Sequence, residues 1–141
     1  MSLEILYTAE STVVGGREGH VKSTDGLIDI DVSMPKTMGG KGELKSNPEQ
    51  LFSAGYAACF DGALNLVAMM QKQKIKSQTT AKVSIGKNEA GGFDLAVEII
   101  SEIEGVNQDT ADELVNTAHQ VCPYSRATRG NIEVNVKAVA K

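Results

Sequence analysis

The stretch "NPEQLFSAGYAACFDGALNLVAMMQKQ", Asn47 to Gln73, decides the fold. Asn47 is a good N-cap, Pro48 suits the first helical position, and Gln50 can close a capping box. The stretch predicts a helix running to about Gln73. Phe52, Tyr56, Cys59, Ala63, Leu66 and Met70 recur at helical spacing and form the expected buried stripe. A second stripe, Leu51, Ala54, Ala58 and Gly62, is also poor in polarity. A helix apolar over so much of its circumference is expected to be central and packed on more than one side.

Outward from this helix the chain reads as strands. "LEILYTAESTVVGG" predicts a strand ending at Gly15 and Gly16. "HVKSTDG" brings an Asp25-Gly26 turn, and "LIDIDVS" alternates apolar and polar residues. The loop "MPKTMGGKGE" is glycine-rich and is expected to be mobile, with the makings of a lid. "TTAKVSIGK" and "FDLAVEIISEI" predict two strands joined at Gly91-Gly92. "NQDTADELVNTAHQVC" predicts a second helix, started by Asn107 or Asp109 and stopped by Pro123. Its apolar face is Ala111, Leu114, Val115 and Ala118. "NIEVNVKAVA" closes the chain as an alternating strand. The order of strands, helix, strands, helix, strand is an α+β pattern in one domain, residues 1–141, and not a doubly wound parallel sheet.

The chain has 141 residues, 41% hydrophobic and 23% charged, the composition of an ordinary globular protein. A net charge of −4 without a basic cluster argues against nucleic acid and anionic lipid as partners. No segment is read as apolar enough to span a bilayer, and the N-terminus lacks a signal-peptide pattern. These features point to the cytoplasm, where thiols stay reduced and a disulfide is usually catalytic or redox-sensing.

Two cysteines, Cys59 and Cys122, carry the candidate chemistry. Cys59 lies mid-helix among small and apolar residues, where burial normally keeps a thiol protonated and inert. To act as a thiolate it needs a cation from elsewhere. Cys122 sits at the predicted end of a helix, where the dipole disfavours a thiolate. It reads either as a buried structural residue or as a group that resolves an oxidised partner. Arginine is the expected source of charge, because it stays ionised when buried. The three are Arg17, Arg126 and Arg129. Glu49 is a candidate partner for a buried arginine, or simply a favourable charge in the first helical turn. His119 and Cys122 share a face at i, i+3, but no CxxC or HxxxH pair accompanies them, so no metal is expected. "GGKGE" lacks P-loop spacing.

At "NPEQLFSAGYAACFDGAL", "AHQVCPYSRATRGNIEVNV" and the upstream "GGREGHVKS", the chain resembles the organic hydroperoxide resistance (Ohr) proteins of the Ohr/OsmC family. The resemblance covers essentially the whole length. "CPYSRATRGN" is closer to the Ohr branch than to the osmotically inducible branch, while Arg126 and Asp61 are details that pattern does not dictate. The resemblance implies an OsmC-like fold of mainly antiparallel sheets around a long central helix, built as an intertwined homodimer with active sites at the interface. It implies a cysteine-based peroxidase that reduces organic hydroperoxides, including those of fatty acids, to alcohols. Cys59 is then the peroxidatic and Cys122 the resolving cysteine, with Glu49 orienting Arg17 and Arg17 holding the Cys59 thiolate. No cofactor is bound; a dithiol, dihydrolipoamide or a lipoylated protein, reduces the enzyme. Phe52, Phe60, Met38 and Tyr124 are the candidate substrate pocket. Glu49 and Cys59 lie ten residues apart, about 15 Å along a straight helix. Either Arg17 bridges that gap or one member of the charged pair comes from the partner subunit, and we favour the second. A cysteine-pair redox sensor, or a hydroperoxide-binding protein without turnover, is the alternative.

Overall fold

The computed structural model describes residues 2–141. The chain separates into two compact units, one ending at Pro48 and the other spanning Glu49–Lys141.

The first unit carries a three-stranded antiparallel sheet in the order β1 (Ser11–Val14), β2 (His20–Ser23), β3 (Asp29–Asp31). β1 is much shorter than the strand expected from residue 3 onward. Residues 2–10 carry no regular structure and leave Leu3, Ile5, Leu6 and Tyr7 exposed. The turn between β1 and β2 needs its glycines. Gly15 and Gly16 have φ of 89° and 57°, and a side chain on Gly19 would lie 1.7 Å from the Val14 carbonyl oxygen. Arg17 lies on the 3₁₀ turn Gly16–Glu18 so formed. The neighbouring Glu18 carboxylate accepts from the Ser33 hydroxyl (3.2 Å) and the Met34 amide (2.9 Å), tying this turn to the end of β3's segment. The glycine-rich loop, expected to be mobile, is knit by backbone bonds among Met34 to Gly42 around a 3₁₀ turn at Lys36–Met38.

The second unit begins with α1 (Pro48–Met70) and continues β4 (Lys76–Lys87), β5 (Phe93–Glu104), α2 (Gln108–Val121), α3 (Pro123–Thr128) and β6 (Glu133–Ala140). β4 and β5 pair antiparallel along their full length, while β6 lies parallel to β5. That parallel pair requires the crossover made by α2 and α3. Along β5, Val97, Ile99, Ser101 and Ile103 point inward and are buried. They meet Tyr56, Phe60, Leu64 and Val67 of α1 and Ala111, Leu114, Val115 and Ala118 of α2 in one core. Each fully buried Leu, Ile or Phe adds about 2 kcal/mol.

α1 ends at Met70, not Gln73. Lys72 adopts φ 56°, and its amide and that of Gln73 bond back to the carbonyls of Met69 (3.0 Å) and Ala68 (2.8 Å). This is a Schellman closure made without glycine, so no composition signal announced it. The inward face of α1 is also rotated from the expected stripe. Tyr56, Phe60, Ala63, Leu64, Val67 and Ala68 are buried, whereas Leu66 and Met70 are exposed. Both faces of the helix are apolar, so periodicity alone could not choose between them. By length and composition alone α1 is long and apolar enough to cross a membrane, which corrects the expectation that no segment is. Alanines and glycines interleave its bulky apolar residues, so no long run of large apolar side chains marks it. In this fold its inward face is committed to the core, and mid-helix Asp61 is hydrogen-bonded to β4.

Candidate active site

The site grows from a corner. Asn107 caps α2 by accepting from the Thr110 amide (2.8 Å), and the helix runs until Pro123 forbids its continuation. Cys122 leaves the helical region at φ −57°, ψ 122°, the extended conformation preferred before proline. Pro123 then occupies the first position of α3, a helix not anticipated from sequence. Cys122 therefore caps the end of one helix and the start of another. The reading that placed it only at a negative helix end is corrected by this second helix.

This corner lies against α1. The Cys122 thiol approaches Cys59 at 3.4 Å between sulfurs, and both cysteines are reduced. Cys122 is fully buried and Cys59 partly exposed. A disulfide bond is about 2.0 Å long, so closure requires movement of about 1.4 Å. Burial pushes the Cys59 thiol pKa above its ordinary value. The Tyr124 backbone amide, hydrogen-bonded to Cys59, pulls the other way, and Cys122 adds to the rise. On balance these neighbours favour the thiol over the thiolate.

An aromatic group borders the cysteines. The Phe52, Tyr56 and Tyr124 rings contact one another, with centroids 6.0 Å (Phe52–Tyr56), 6.1 Å (Phe52–Tyr124) and 5.6 Å (Tyr56–Tyr124) apart. Gly55 makes room for this group, since a Cβ there would sit 2.9 Å from the Tyr124 hydroxyl. Phe60 has no exposed surface and belongs to the core.

The second unit thus brings together Cys59, Cys122, Phe52 and Tyr124. Glu49, half-buried, stands in the first turn of α1. Arg17 and Met38, also half-buried, belong to the first unit, each on a 3₁₀ turn. Arg126 is exposed on α3. Among the described residues, no group of three or more His, Cys, Asp or Glu is placed to hold a metal ion.

Two polar networks were not anticipated. Asp61, two residues from Cys59, accepts from Ser77 (2.8 Å), Thr79 (2.7 Å) and Asn65 (3.2 Å), and Thr79 reaches the buried Ser101 (2.8 Å). Asp61 thereby fastens α1 to β4. A polar column facing a helix gives itself away in sequence only as Ser77 and Thr79 on alternate strand positions. The other network joins Tyr56 to Ser125 (2.8 Å) and Thr128 (3.2 Å), and Ser125 to His119 Nδ1 (2.8 Å). Arg129 donates to the His119 carbonyl. Burial and the Arg129 charge together lower the His119 pKa. Ser125 and Thr128 at i, i+3 were the available signal, masked because Pro123 was read as the stop of the second helix.

Comparison with known proteins agrees with this architecture. Residues 40–137 match the family of OsmC-like proteins. The chain is 47% identical over 133 residues to organic hydroperoxide resistance protein OhrB of Bacillus subtilis, covering 94% of this chain and 97% of that one. The crystal structure of that OhrB superposes with a TM-score of 0.87 at 48% identity, covering 97% and 100% of the two chains. An organic hydroperoxide resistance protein from Elizabethkingia anophelis superposes with a TM-score of 0.93 at 51% identity, covering 99% and 100%. The chain belongs to the OsmC-like family, in its organic hydroperoxide resistance branch.

Proposed function

We propose that the protein is a cysteine-based peroxidase that reduces organic hydroperoxides to alcohols. The observation that carries this reading is the pair of reduced sulfurs 3.4 Å apart, one reachable from solvent and the other buried behind it. The names of its relatives support the substrate class. Their matches run nearly end to end, which supports reading both units as one working domain.

In this reading the Cys59 thiolate attacks the distal oxygen of the peroxide. The O–O bond breaks, the alkoxide leaves and takes a proton as alcohol, and Cys59 is left as sulfenic acid. Cys122 attacks the Cys59 sulfur, an S–S bond forms, and water departs. A dithiol, dihydrolipoamide or a lipoylated protein, reopens the disulfide by exchange in a reducing cytoplasm. No bound cofactor takes part. Burial favours the Cys59 thiol, and a nearby cation would favour the thiolate. We assign that role to Arg17, oriented by Glu49, with charge also offered to the oxygens in the transition state. Phe52 and Tyr124, whose rings meet edge to face, suit an apolar substrate tail beside Cys59, with Met38 as a further pocket residue.

We further propose a homodimer with the sites at its interface. Ala54, Ala58, Gly62 and Leu66 form an exposed apolar row on α1, continued by Met69 and Met70 at 67% and 72% exposure. Nothing lies within 4 Å of the position a Gly62 side chain would take. Such a row suits a second copy, and the partner can then supply one member of the Arg17–Glu49 pair.

The test is consumption of tert-butyl hydroperoxide with dihydrolipoamide as reductant. Wild type should turn over, Cys59→Ser should not, and Cys122→Ser should accumulate a dimedone-reactive sulfenic acid. Normal turnover by Cys59→Ser would sink the peroxidase. Disulfide formation by wild type without catalytic consumption would favour a redox switch.

A further inference from the structure

Two links cross the gap between α1 and the α2–α3 corner side by side. One is the pair of sulfurs, Cys59 to Cys122 at 3.4 Å. The other is the hydrogen bond from Tyr56 to Ser125 at 2.8 Å. Tyr56 is three residues before Cys59 on α1, and Ser125 is three residues after Cys122, so each end of the bond is about one helical turn from a sulfur. Tyr56 and Ser125 have no exposed surface and Thr128 only 7%. Every hydroxyl in this cluster is engaged: Tyr56 with Ser125 and Thr128, Thr128 with the Ser125 carbonyl (3.2 Å), and Ser125 with His119. His119 in turn is held through its carbonyl by Arg129, from just beyond α3.

Building on the proposed peroxidase, we infer that Tyr56, Ser125 and Thr128 are positioning residues for the Cys122 step. They hold the corner at the spacing from which Cys122 reaches an oxidised Cys59. The step they serve is Cys59–SOH plus Cys122–SH giving the Cys59–Cys122 disulfide plus water: the S–S bond forms, the Cys59 S–O bond breaks, and the departing hydroxide takes the Cys122 proton. Reaction between groups already held in place is fast, and a misplacement of about 1 Å can cost up to a hundredfold. The sulfurs need about 1.4 Å of approach, so a corner that loosens by a similar distance loses much of that advantage. Removing one hydroxyl leaves its buried partners unsatisfied, which drives the corner to shift or admit water. The first step, attack of Cys59 on the peroxide, does not use Cys122, but the Tyr124 amide that bonds Cys59 belongs to the same corner, so the second step is read from how Cys59–SOH divides between disulfide and sulfinic acid. Cys59–SOH that is not captured meets a second hydroperoxide and goes to sulfinic acid, releasing a second alcohol.

The experiment has two arms on the full-length protein. In a glutathione redox buffer without hydroperoxide, the effective concentration of the cysteine pair is read by alkylation and mass spectrometry. Ser125→Ala should lower it about tenfold, Thr128→Val should lower it, and Thr128→Ser, which keeps the hydroxyl, should restore it. Val32→Ala, which truncates a buried side chain of the first unit outside the core that holds the cysteines, should leave it unchanged and so separates positioning from general stability. In the second arm, with two equivalents of tert-butyl hydroperoxide per Cys59, Ser125→Ala should yield more sulfinic acid and less disulfide than wild type. Should Ser125→Ala not fold, the Thr128→Val and Thr128→Ser pair decides. Effective concentrations within twofold of wild type in the hydroxyl-deleting variants, or an equal fall in Val32→Ala, would overturn the inference. Failure of the peroxidase reading shows differently, as wild type that forms the disulfide in glutathione yet does not consume hydroperoxide.

Discussion

Asp61→Ala isolates the interaction that seats the cysteine helix on its sheet. The carboxylate accepts from Ser77 at 2.8 Å, Thr79 at 2.7 Å and Asn65 at 3.2 Å, in a partly buried setting. A hydrogen bond to a charged group contributes about 1.5–3 kcal/mol, and an orphaned buried partner costs a further penalty. The three bonds share one acceptor, and Asn65 also reaches Ser77 and the Asp61 carbonyl, so part of the loss is recovered. The expected net loss is about 2–4 kcal/mol, dominated by Thr79 and its partner Ser101 beneath the helix. For a chain of this length that is a fall in melting temperature of roughly 10 °C. Urea unfolding supplies the value, with an unchanged slope marking a stability effect proper. Combining Asp61→Ala with Ser77→Ala gives the pairwise coupling, expected at about 1 kcal/mol. A loss below about 1 kcal/mol for Asp61→Ala, or a coupling near zero, would mean that the network is solvated and does not seat the helix.

Other outcomes follow from the same residues. Arg17→Ala should raise the pH at which Cys59 reacts with iodoacetamide and slow its oxidation, with circular dichroism unchanged; identical titrations in both proteins would remove Arg17 from the activation scheme. Leu64→Ala, at a fully buried position, should cost about 2–5 kcal/mol in urea unfolding. Leu66→Asp should convert a dimer to monomer in sedimentation velocity, since Leu66 lies in the exposed row of α1. His20 sits between Asp31 (2.6 Å) and Asp29, whose hydrogen bonds raise its pKa above 6.5. Its protonated form is therefore favoured in the folded chain. That stabilisation is full below the ordinary pKa and is lost as pH rises through the raised one. The melting-temperature difference between wild type and His20→Gln should shrink over that window.

The amphipathic pattern of α2 was fully legible. Its face of Ala111, Leu114, Val115 and Ala118 is buried as expected, because the rest of that helix is polar and only one face can turn inward. α1 was legible as a helix but not in its orientation. The rows Tyr56–Phe60–Ala63–Val67 and Ala54–Ala58–Gly62–Leu66 are both apolar, and the sheet chose the first. The families of motifs around Cys59, Cys122 and Arg17 were likewise visible, whereas α3, hidden after Pro123, was not.

Local sequence by itself determined part of the boundaries: Pro48 and Asn107 open helices, Pro123 closes one, and the turn at Gly15–Gly16 can form only where a positive φ is tolerated. It also determined that the chain holds two thiols with no local activator. Only the tertiary structure decided that those thiols, 63 residues apart, meet at 3.4 Å. The reason is physical. Helical and strand periods record which face of an element is apolar, but contact between distant elements depends on how those faces pack. Here the Pro123 corner, the Tyr56–Ser125 bond and the seating of α1 by Asp61 together bring Cys122 to Cys59.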